Sequence, residues 1–409
     1  MKRFISILKK WLLLVIVTTV MLCCTGKNPG SRDAPKWQPI GQTIHLYSKE
    51  NRSDLKEMNI GNNGEKIVIT DYSQKLDTTL LPKKIITFEL RDTIWYPFGN
   101  KTKDSIYFAN AQTYSTNSDA TRIVAGNLAH DQQQIQTFDL KSEYWTLVND
   151  TMIARKPDTT GWLHNLKLSA EGKTLAISSP VLVNSNAEVQ VYSWKNEGWV
   201  PKGNPITIKN KIAINDRGAN FYWNNVSINN NGSIITVANV YNYDNGPDAG
   251  QVKVFKYIDT TWQQLGDDIN GDLPYQNLGT HVSIGKDDTS LFISSSNRFQ
   301  KYQYLWYTLE NNQWIKQEND VSLTFFENPL IKVSNDGTIL LISSDYEEYS
   351  EDTYSINIYG RTETNWEIIG RIDENRDHFN EFILSNDQTR LFILFDGIRD
   401  KYIRVFNKP

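Results

Sequence analysis

The side chains that most often carry catalysis are scattered through this sequence without recognisable spacing. The five histidines (His45, His130, His164, His281 and His378) show no metal-ligand spacing, and no G-x-S-x-G, H-E-x-x-H, G-x-G-x-x-G or P-loop pattern occurs. Asp267 and Asp268 are adjacent, but GDDING (266–271) reads more simply as a turn. Carboxylates are plentiful, so the fold could still bring two of them together as a glycosidase pair. An enzyme is therefore an alternative, and no catalytic residue is predicted.

The two cysteines, Cys23 and Cys24, follow a basic lead and a short apolar run at 11–22. A membrane span needs about 20 apolar residues, so this run is typical of an export signal. The stretch resembles a bacterial lipoprotein signal, in which the peptidase cuts before a cysteine that then carries lipid. The small residue before Cys24 favours Cys24 as the lipidated position, with Cys23 as the alternative. An ordinary cleaved signal and an uncleaved anchor remain open.

This signal predicts where the protein resides and which partners it meets. Residues 1–23 would be removed, 24–36 would be a flexible tether, and the chain would be lipid-anchored to the bacterial cell envelope, most simply the outer membrane. A lone acylated cysteine excludes an intramolecular disulfide, a thiolate metal site and a cysteine nucleophile. The net charge of −4 comes without a basic patch, so no nucleic-acid partner is expected.

A polar turn followed by a short apolar strand recurs seven times along the chain. The copies are NNGEKIVIT (62–70), NSDATRIVAG (117–126), AEGKTLAIS (170–178), NNGSIITVA (230–238), KDDTSLFIS (286–294), NDGTILLIS (335–343) and NDQTRLFIL (386–394). Asn, Asp and Gly tolerate the left-handed backbone that tight hairpins require. The repeat therefore predicts seven equivalent hairpins.

An alternating strand with a central or terminal aromatic residue follows each hairpin. The seven copies are IITFEL (85–90), IQTFDL (135–140), VQVYSW (189–194), VKVFKY (252–257), YLWYTL (304–309), INIYGR (356–361) and IRVFNK (403–408). A tryptophan, often within W-x-x-x-G, follows six of these strands, whereas the last has none after it. The missing tryptophan stands at the other end of the chain, in WQPIG (37–41).

These three features together predict a closed ring of four-stranded units. The N-terminal tryptophan strand would pair with the C-terminal strand around 403–406 and complete the last unit, which removes exposed sheet edges. A period of about 50 residues suits a propeller blade. We predict an all-β, seven-bladed β-propeller over 37–409.

The repeats resemble those of exported Bacteroidota proteins in the FG-GAP and integrin-like group of propellers. WQQLGDDINGD (262–272), LSAEGKTLAIS (168–178) and AGQVKVFKY (249–257) are the clearest members. The resemblance covers nearly the whole mature chain and implies the fold rather than an activity, because propellers host many functions.

The resemblance also implies calcium loops rich in Asp, Asn and Gly. The best candidate is YNYDNGPDAG (241–250), with Asp244, Asn245 and Asp248 as oxygen ligands. The loop departs from D-x-D-x-D-G, and a solvated turn is the alternative, as it is for DYEEYSED (345–352). Calcium is the only cofactor that the sequence suggests.

The short turns of the predicted blades fall on one face of the ring, so the long connections fall on the other. This long-loop face carries nine aromatic residues: Trp162, Tyr222, Trp223, Tyr241, Tyr243, Tyr275, Phe325, Tyr346 and Tyr349. Aromatic side chains anchor interfaces and stack on sugars, although any one of them could simply pack within its loop. The set predicts a non-catalytic binding module for a protein or glycan partner. The alternative is an envelope enzyme, a glycan-acting hydrolase using carboxylates of the same face.

Overall fold

The structure, a computed structural model, is built from β-strands joined by turns and loops. It describes residues 35–48, 58–61, 63–71, 83–99, 106–108, 111–129, 132–142, 144–154, 165–179, 187–208, 224–296, 301–317, 321–324, 330–334, 336–344, 353–362, 366–375, 378–396 and 400–409. None of these ranges contains a helix of the length and apolarity that a membrane crossing requires.

The strands form seven antiparallel sheets, each of which is one blade. The first strand of the chain, β1 (Gln38–Ser48), belongs to the last blade. Blade 1 contains β2 (Met58–Ile60), β3 (Lys66–Asp71), β4 (Lys83–Arg91), β5 (Ile94–Pro97) and β6 (Ile106–Phe108). Blade 2 contains β7 (Ala111–Thr116), β8 (Arg122–Ala129), β9 (Gln132–Lys141) and β10 (Tyr144–Ala154). Blade 3 contains β11 (Asn165–Leu168), β12 (Thr174–Ser179), β13 (Ala187–Lys195), β14 (Gly198–Pro201) and β15 (Ile206–Ile208).

The remaining blades repeat this order around the ring. Blade 4 contains β16 (Asn224–Ile228), β17 (Ile234–Asn239), β18 (Gln251–Ile258), β19 (Thr261–Gln264) and β20 (Ile269–Asn270). Blade 5 contains β21 (Val282–Ile284), β22 (Ser290–Ser296), β23 (Lys301–Glu310), β24 (Gln313–Lys316) and β25 (Val321–Thr324). Blade 6 contains β26 (Ile331–Val333), β27 (Ile339–Ser344), β28 (Thr353–Arg361) and β29 (Trp366–Asn375). Blade 7 contains β30 (His378–Leu384), β31 (Arg390–Asp396) and β32 (Asp400–Asn407), followed by β1.

The N-terminal strand closes the ring. Strand β1 pairs antiparallel with β32, from Gln38 opposite Asn407 to Ser48 opposite Asp400. Lys36, just before β1, forms an isolated parallel bridge with Arg371 of blade 6. The predicted seven-bladed β-propeller, closed by its N-terminal tryptophan strand, is confirmed.

The outer strand departs from the simple four-strand prediction in four blades. There it is split into two segments that both pair with the third strand: β5 and β6, β14 and β15, β19 and β20, and β24 and β25. Gly203 and Gly266 lie between such segments with φ angles of 75° and 79°. This left-handed backbone interrupts the ladder and is the conformation that glycine adopts most readily.

The W-x-x-x-G motif joins neighbouring blades through its glycine. A methyl group at Gly266 of blade 4 would lie 2.9 Å from the Trp314 indole of blade 5. The same indole donates a hydrogen bond of 3.0 Å from Nε1 to the carbonyl oxygen of Leu265. The other glycine and tryptophan pairs are Gly41 with Trp95, Gly99 with Trp145, Gly203 with Trp262, and Gly370 with Trp37. Each glycine thus leaves room for the tryptophan of the next blade.

In six of the seven blades, the turn between the first and second strands is capped by a polar side chain. In blade 4, Asn229 Oδ1 accepts hydrogen bonds from the backbone N–H groups of Ser233 (2.8 Å) and Ile234 (2.9 Å). Asn229 Nδ2 also donates to Asp288 Oδ1 of blade 5 at 2.8 Å. Equivalent caps are Asn117, Ser169, Ser334 and Ser385, while in blade 5 Asp287, two residues later in the turn, accepts from the Ser290 N–H instead. These caps explain why Asn, Ser and Asp recur before each short apolar strand.

Candidate functional site

The residues predicted for binding are only partly covered by the structure. The described members are Tyr241, Tyr243 and Tyr275, whereas the following lie outside the described residues: Cys23, Cys24, Trp162, Tyr222, Trp223, Phe325, Tyr346 and Tyr349. The three described tyrosines belong to two connections, 240–250 and 271–281, which we call the double loop. It lies on the long-loop face, between β17 and β18 and between β20 and β21.

The double loop is held together by its own backbone. The Tyr275 N–H donates to the Pro247 carbonyl at 2.6 Å, and the Asn277 N–H donates to the Asp248 carbonyl at 2.8 Å. Further backbone hydrogen bonds run from Leu278 to Ala249 (3.0 Å) and from Gly271 to Gly250 (2.9 Å). Because the two connections bond each other along most of their length, they form one unit rather than two independent loops.

Glycine permits the close approach of the two connections. A methyl group at Gly271 would overlap the Ala249 carbonyl, and one at Gly250 would overlap the backbone of Leu278. Gly250 also has a φ of 87°, while Asp248 and Tyr275 have φ angles of 51° and 62°. A left-handed angle is uncommon for tyrosine, and the hydrogen bonds between the two connections offset its cost. The backbone of the double loop is therefore fixed by its packing.

This fixed backbone presents a mixed aromatic and apolar surface. Tyr241, Tyr243 and Tyr275 are each half-buried, and Leu273 is the most exposed large apolar residue described, at 62%. The structure thus brings the three described tyrosines of the predicted set into one unit. Leu273 was missed by sequence reasoning, although its position beside Pro274 in a long connection was a usable signal.

The oxygen ligands predicted for calcium take part in hydrogen bonds of the double loop and the adjoining strands. Asp244 Oδ2 accepts from Gln251 Nε2 at 3.1 Å and from Asn242 Nδ2 at 3.4 Å. Asn245 Nδ2 donates to the Gly271 carbonyl at 2.9 Å, and Asp248 is buried. Across the described ranges, no group of three or more His, Cys, Asp or Glu residues could hold a metal ion. Calcium binding by Asp244, Asn245 and Asp248 stays a prediction.

The acidic pair noted in the sequence lies beside the same unit. Asp268 Oδ2 accepts from Lys253 Nζ at 2.8 Å, and Asp268 Oδ1 accepts from Gln264 Nε2 at 2.9 Å. Asp267 is exposed, and its backbone N–H donates to Gln313 Oε1 at 3.1 Å. These contacts match a turn that joins two blades, as the pattern GDDING suggested.

A second candidate site lies in the central channel and was not predicted. A cavity of about 360 Å³ is lined by the first strands of all seven blades and by several of the capped turns. Its only ionisable lining residues among those described are Lys167 of β11 and Lys332 of β26. Because turn residues such as Asn117 and Asn386 line it, the cavity occupies the short-turn end of the channel.

Glu381 contacts Lys332 and lies on the long-loop side of this cavity. Its carboxylate accepts a hydrogen bond from the Met58 N–H at 2.7 Å and pairs with Lys332 Nζ at 3.4 Å. Burial raises the pKa of Glu381, while Lys332 and the Met58 hydrogen bond act in the opposite direction. Glu381 therefore links blades 6, 7 and 1 around the channel.

His281, the last residue of the double loop, lies within electrostatic range of the same two lysines. Burial, and then the positive charges of Lys332 and Lys167, lower its pKa to about 4. His281 is also partly exposed to solvent, which weakens the effect of burial on its pKa. His281 is thus neutral at pH 7 and leaves the two lysines as the source of positive charge.

Comparison with known proteins supports the fold and gives no family. No protein-family model matches the sequence, and no curated protein matches it. A proposed 6-phosphogluconolactonase from Bacteroides fragilis is similar in structure, with a TM-score of 0.54, 12% identity and coverage of 84% of this chain and 95% of that one. The β-propeller domain of the trilobed protease from Pyrococcus furiosus, described as having an open velcro topology, gives a TM-score of 0.53 at 9% identity, covering 89% and 95%. A protein from Lactobacillus plantarum gives a TM-score of 0.53 at 11% identity, covering 81% and 88%. At such identities the likeness establishes a β-propeller fold alone, and here β1 and β32 close the ring.

Proposed function

We propose that this chain is a cell-envelope lipoprotein whose propeller is a non-catalytic binding module for a protein or glycan partner. The partner would contact the long-loop face, and the double loop would be its anchoring surface. The lipid would be attached at Cys24, with Cys23 as the alternative, and would hold the ring at the membrane through the tether at 24–36.

The observation that carries this proposal is the fixed backbone of the double loop. Its two connections are joined by backbone hydrogen bonds, and its glycines permit their close approach. A rigid surface loses little conformational entropy on binding, so its contacts contribute more fully to affinity. Half-buried tyrosines beside an exposed leucine give the mixture of apolar area and polar edges that interface anchors and sugar-stacking platforms share.

The carboxylates described near this surface favour binding over catalysis. Asp268 accepts hydrogen bonds from Lys253 and Gln264, and Asp244 accepts them from Gln251 and Asn242. Side chains held in this way serve the local structure. An envelope enzyme, a glycan-acting hydrolase using carboxylates of this face, remains the second candidate. Because proposed 6-phosphogluconolactonases are similar in structure, the experiment also measures catalysis.

Photo-crosslinking in intact cells tests the binding surface directly. We would place a photoreactive phenylalanine analogue at Leu273 of the double loop and, as the matched control, at Leu147 on the outer strand of blade 2. Both residues are exposed, at 62% and 47%, so a difference in capture reports the surface rather than accessibility. We expect a discrete crosslinked partner from position 273 and none from position 147.

The tyrosines provide the second arm of the experiment. Tyr241→Ala combined with Tyr243→Ala should abolish the crosslink from position 273 while the unfolding temperature remains close to that of the wild type. A glycan array probed with the purified chain tests whether the partner is a carbohydrate. Equal capture from both positions, or no protein and no glycan bound, would contradict the proposed surface, and glycan cleavage by the wild type would favour the enzyme.

A further inference from the structure

One position of the first strand faces the channel in every blade. In blades 1 to 4, Asn59, Ser115, Lys167 and Ser227 pair with the central residues of the second strands. Ser283, Lys332 and Ile383 do the same in blades 5 to 7. All seven line the cavity, and we call them the channel ring.

The neighbours of the channel ring show why these side chains point inward. In six blades the residue just before the ring member is a buried apolar side chain (Met58, Tyr114, Leu166, Val226, Ile331 or Phe382), and in blade 5 it is the half-buried Val282. Successive side chains of a strand point to opposite faces, so the ring members lie on the other face of the strand from these residues, where they line the cavity. Six of the seven are polar, which an axis with only a structural role does not require.

The charge of the cavity is positive and is held in place. Lys167 and Lys332 are the only ionisable residues among its described lining, and the other polar members are hydroxyl and amide side chains. Lys332 is oriented by the buried carboxylate of Glu381, which is itself fixed by the Met58 N–H at 2.7 Å. Glu381 offsets part of the Lys332 charge from outside the lining, but the lining itself carries charge of one sign, which attracts ions of opposite charge.

The serines of the channel ring are fixed by hydrogen bonds across blade boundaries. Ser115 Oγ accepts from the Leu168 N–H at 3.0 Å, and Ser227 Oγ accepts from the Ile284 N–H at 3.4 Å. A serine that accepts such a bond keeps its own hydroxyl hydrogen for another acceptor. The cavity therefore combines two ammonium groups with the oriented hydroxyls of Ser115 and Ser227.

We propose that this cavity binds a small hydroxylated oxyanion, with its phosphate or carboxylate group against Lys167 and Lys332 and its hydroxyls against the channel ring. The size of about 360 Å³ lies at the lower end of ligand pockets and fits a compact metabolite rather than a polymer. Burial, and then both lysines, lower the pKa of His281 at the end of the double loop, so the positive field of the two lysines reaches beyond the cavity. The site lies at the opposite end of the channel from the double loop, so it is independent of the proposed partner surface.

Titration calorimetry on the full chain in mild detergent tests this site. The probes would be inorganic phosphate, glycerol 3-phosphate, gluconate and glucose at about 0.15 M salt, where exposed charges are largely screened. We expect glycerol 3-phosphate or gluconate to bind more tightly than inorganic phosphate, and glucose not to bind. The stronger of the two hydroxylated anions identifies phosphate or carboxylate as the preferred group.

Matched lysine variants separate the cavity from the general charge of that face. Lys167→Met and Lys332→Met should each weaken binding about tenfold or more, because charge-assisted hydrogen bonds are lost. Lys286→Met removes an exposed lysine of a short turn outside the cavity and should change affinity less than about twofold. Lys167→Gln keeps a polar side chain but removes the charge. It provides the test of charge if Lys332→Met destabilises the protein by removing the contact with Glu381.

Three results would overturn the site. They are no binding of any anion below about 10 mM, binding of glucose as tight as that of the anions, or equal losses in Lys286→Met and Lys167→Met. Because none of these readouts involves the double loop, this proposal and that of the binding face succeed or fail separately.

Discussion

The two faces of the propeller are built on different principles. On the short-turn face, equivalent five-residue turns are capped by Asn, Ser or Asp and bond to the neighbouring blade. On the long-loop face, the connections differ in length from blade to blade, and the double loop has no counterpart among the described residues of the other blades. The repeated turns thus determine how neighbouring blades contact each other. The long connections are not constrained in this way, so their side chains can vary and bind a partner.

Gly337 on the short-turn face offers the strongest test of this contrast. Its φ is 67°, and a methyl group there would overlap the Phe292 ring of the preceding blade. We expect Gly337→Ala to lower the free energy of unfolding by about 3 kcal/mol, because strain in the left-handed region adds to overpacking. Chemical denaturation followed by tryptophan fluorescence measures the loss.

Gly198→Ala is the matched control for this substitution. Gly198 has an ordinary backbone angle, and the nearest atom to an added methyl is Asn149 Nδ2 at 3.7 Å. Its stability should change by less than about 0.5 kcal/mol. Equal effects at Gly337 and Gly198 would show that the short turns do not lock the blades.

The regular part of the molecule could be predicted because each of its contacts recurs. Trp37 was assigned to the last blade because the seventh strand, ending near Phe406, has no tryptophan after it, and β1 does pair with β32. The split outer strands were not predicted, although their glycines stand in W-x-x-x-G. A left-handed glycine such as Gly266 can break a ladder or bulge it, and the sequence alone does not say which.

The turn cap of blade 4 gives the second largest expected effect. Asn229 is buried, accepts two backbone hydrogen bonds and donates to Asp288 of the next blade. Asn229→Ala leaves these groups without their partners and should cost about 2 kcal/mol of unfolding free energy. The neighbouring exposed Asn230→Ala should cost less than about 0.5 kcal/mol in the same denaturation experiment. If both variants lost a similar amount of unfolding free energy, the cap would not be a specific source of stability.

A substitution in the double loop should destabilise only that unit, whereas a substitution in a short turn should lower the stability of the whole propeller. A methyl group in Gly271→Ala would collide with the Ala249 carbonyl and separate the two connections. The cost cannot exceed the free energy of opening this unit alone, so the global unfolding midpoint should hardly move. Hydrogen exchange should accelerate at the amides of Tyr275, Asn277 and Leu278, which bond across the unit. A fall in global stability as large as that of Gly337→Ala would show that the double loop is part of the scaffold.

The sequence offered uneven signals for the two candidate sites. Tyr241, Tyr243 and Tyr275 could be placed on one face because strand order alone decides where long connections fall. Their joining into one unit depends on backbone bonds between distant segments, which no local pattern records. Lys167 and Lys332 did carry a signal, since each is a charged residue between two apolar ones in a first strand. Glu381 lies nearer the divergent end of the channel, where the blades no longer match.

The smallest expected effect concerns the channel that joins the two faces. The pKa of His281 is lowered to about 4 by burial and by Lys332 and Lys167, against 6.5 for an ordinary histidine. Between these two pH values the unfolded chain binds a proton that the folded chain does not, so this group reduces stability as the pH falls through that window. The C2 proton resonance of His281, assigned with His281→Gln, should titrate near pH 4. Lys332→Met should move that titration upward because it removes a positive charge, whereas Lys286→Met should leave it in place. A titration near 6.5 would mean that the blades enclose His281 less closely and that the field of the two lysines does not extend along the channel toward the long-loop face.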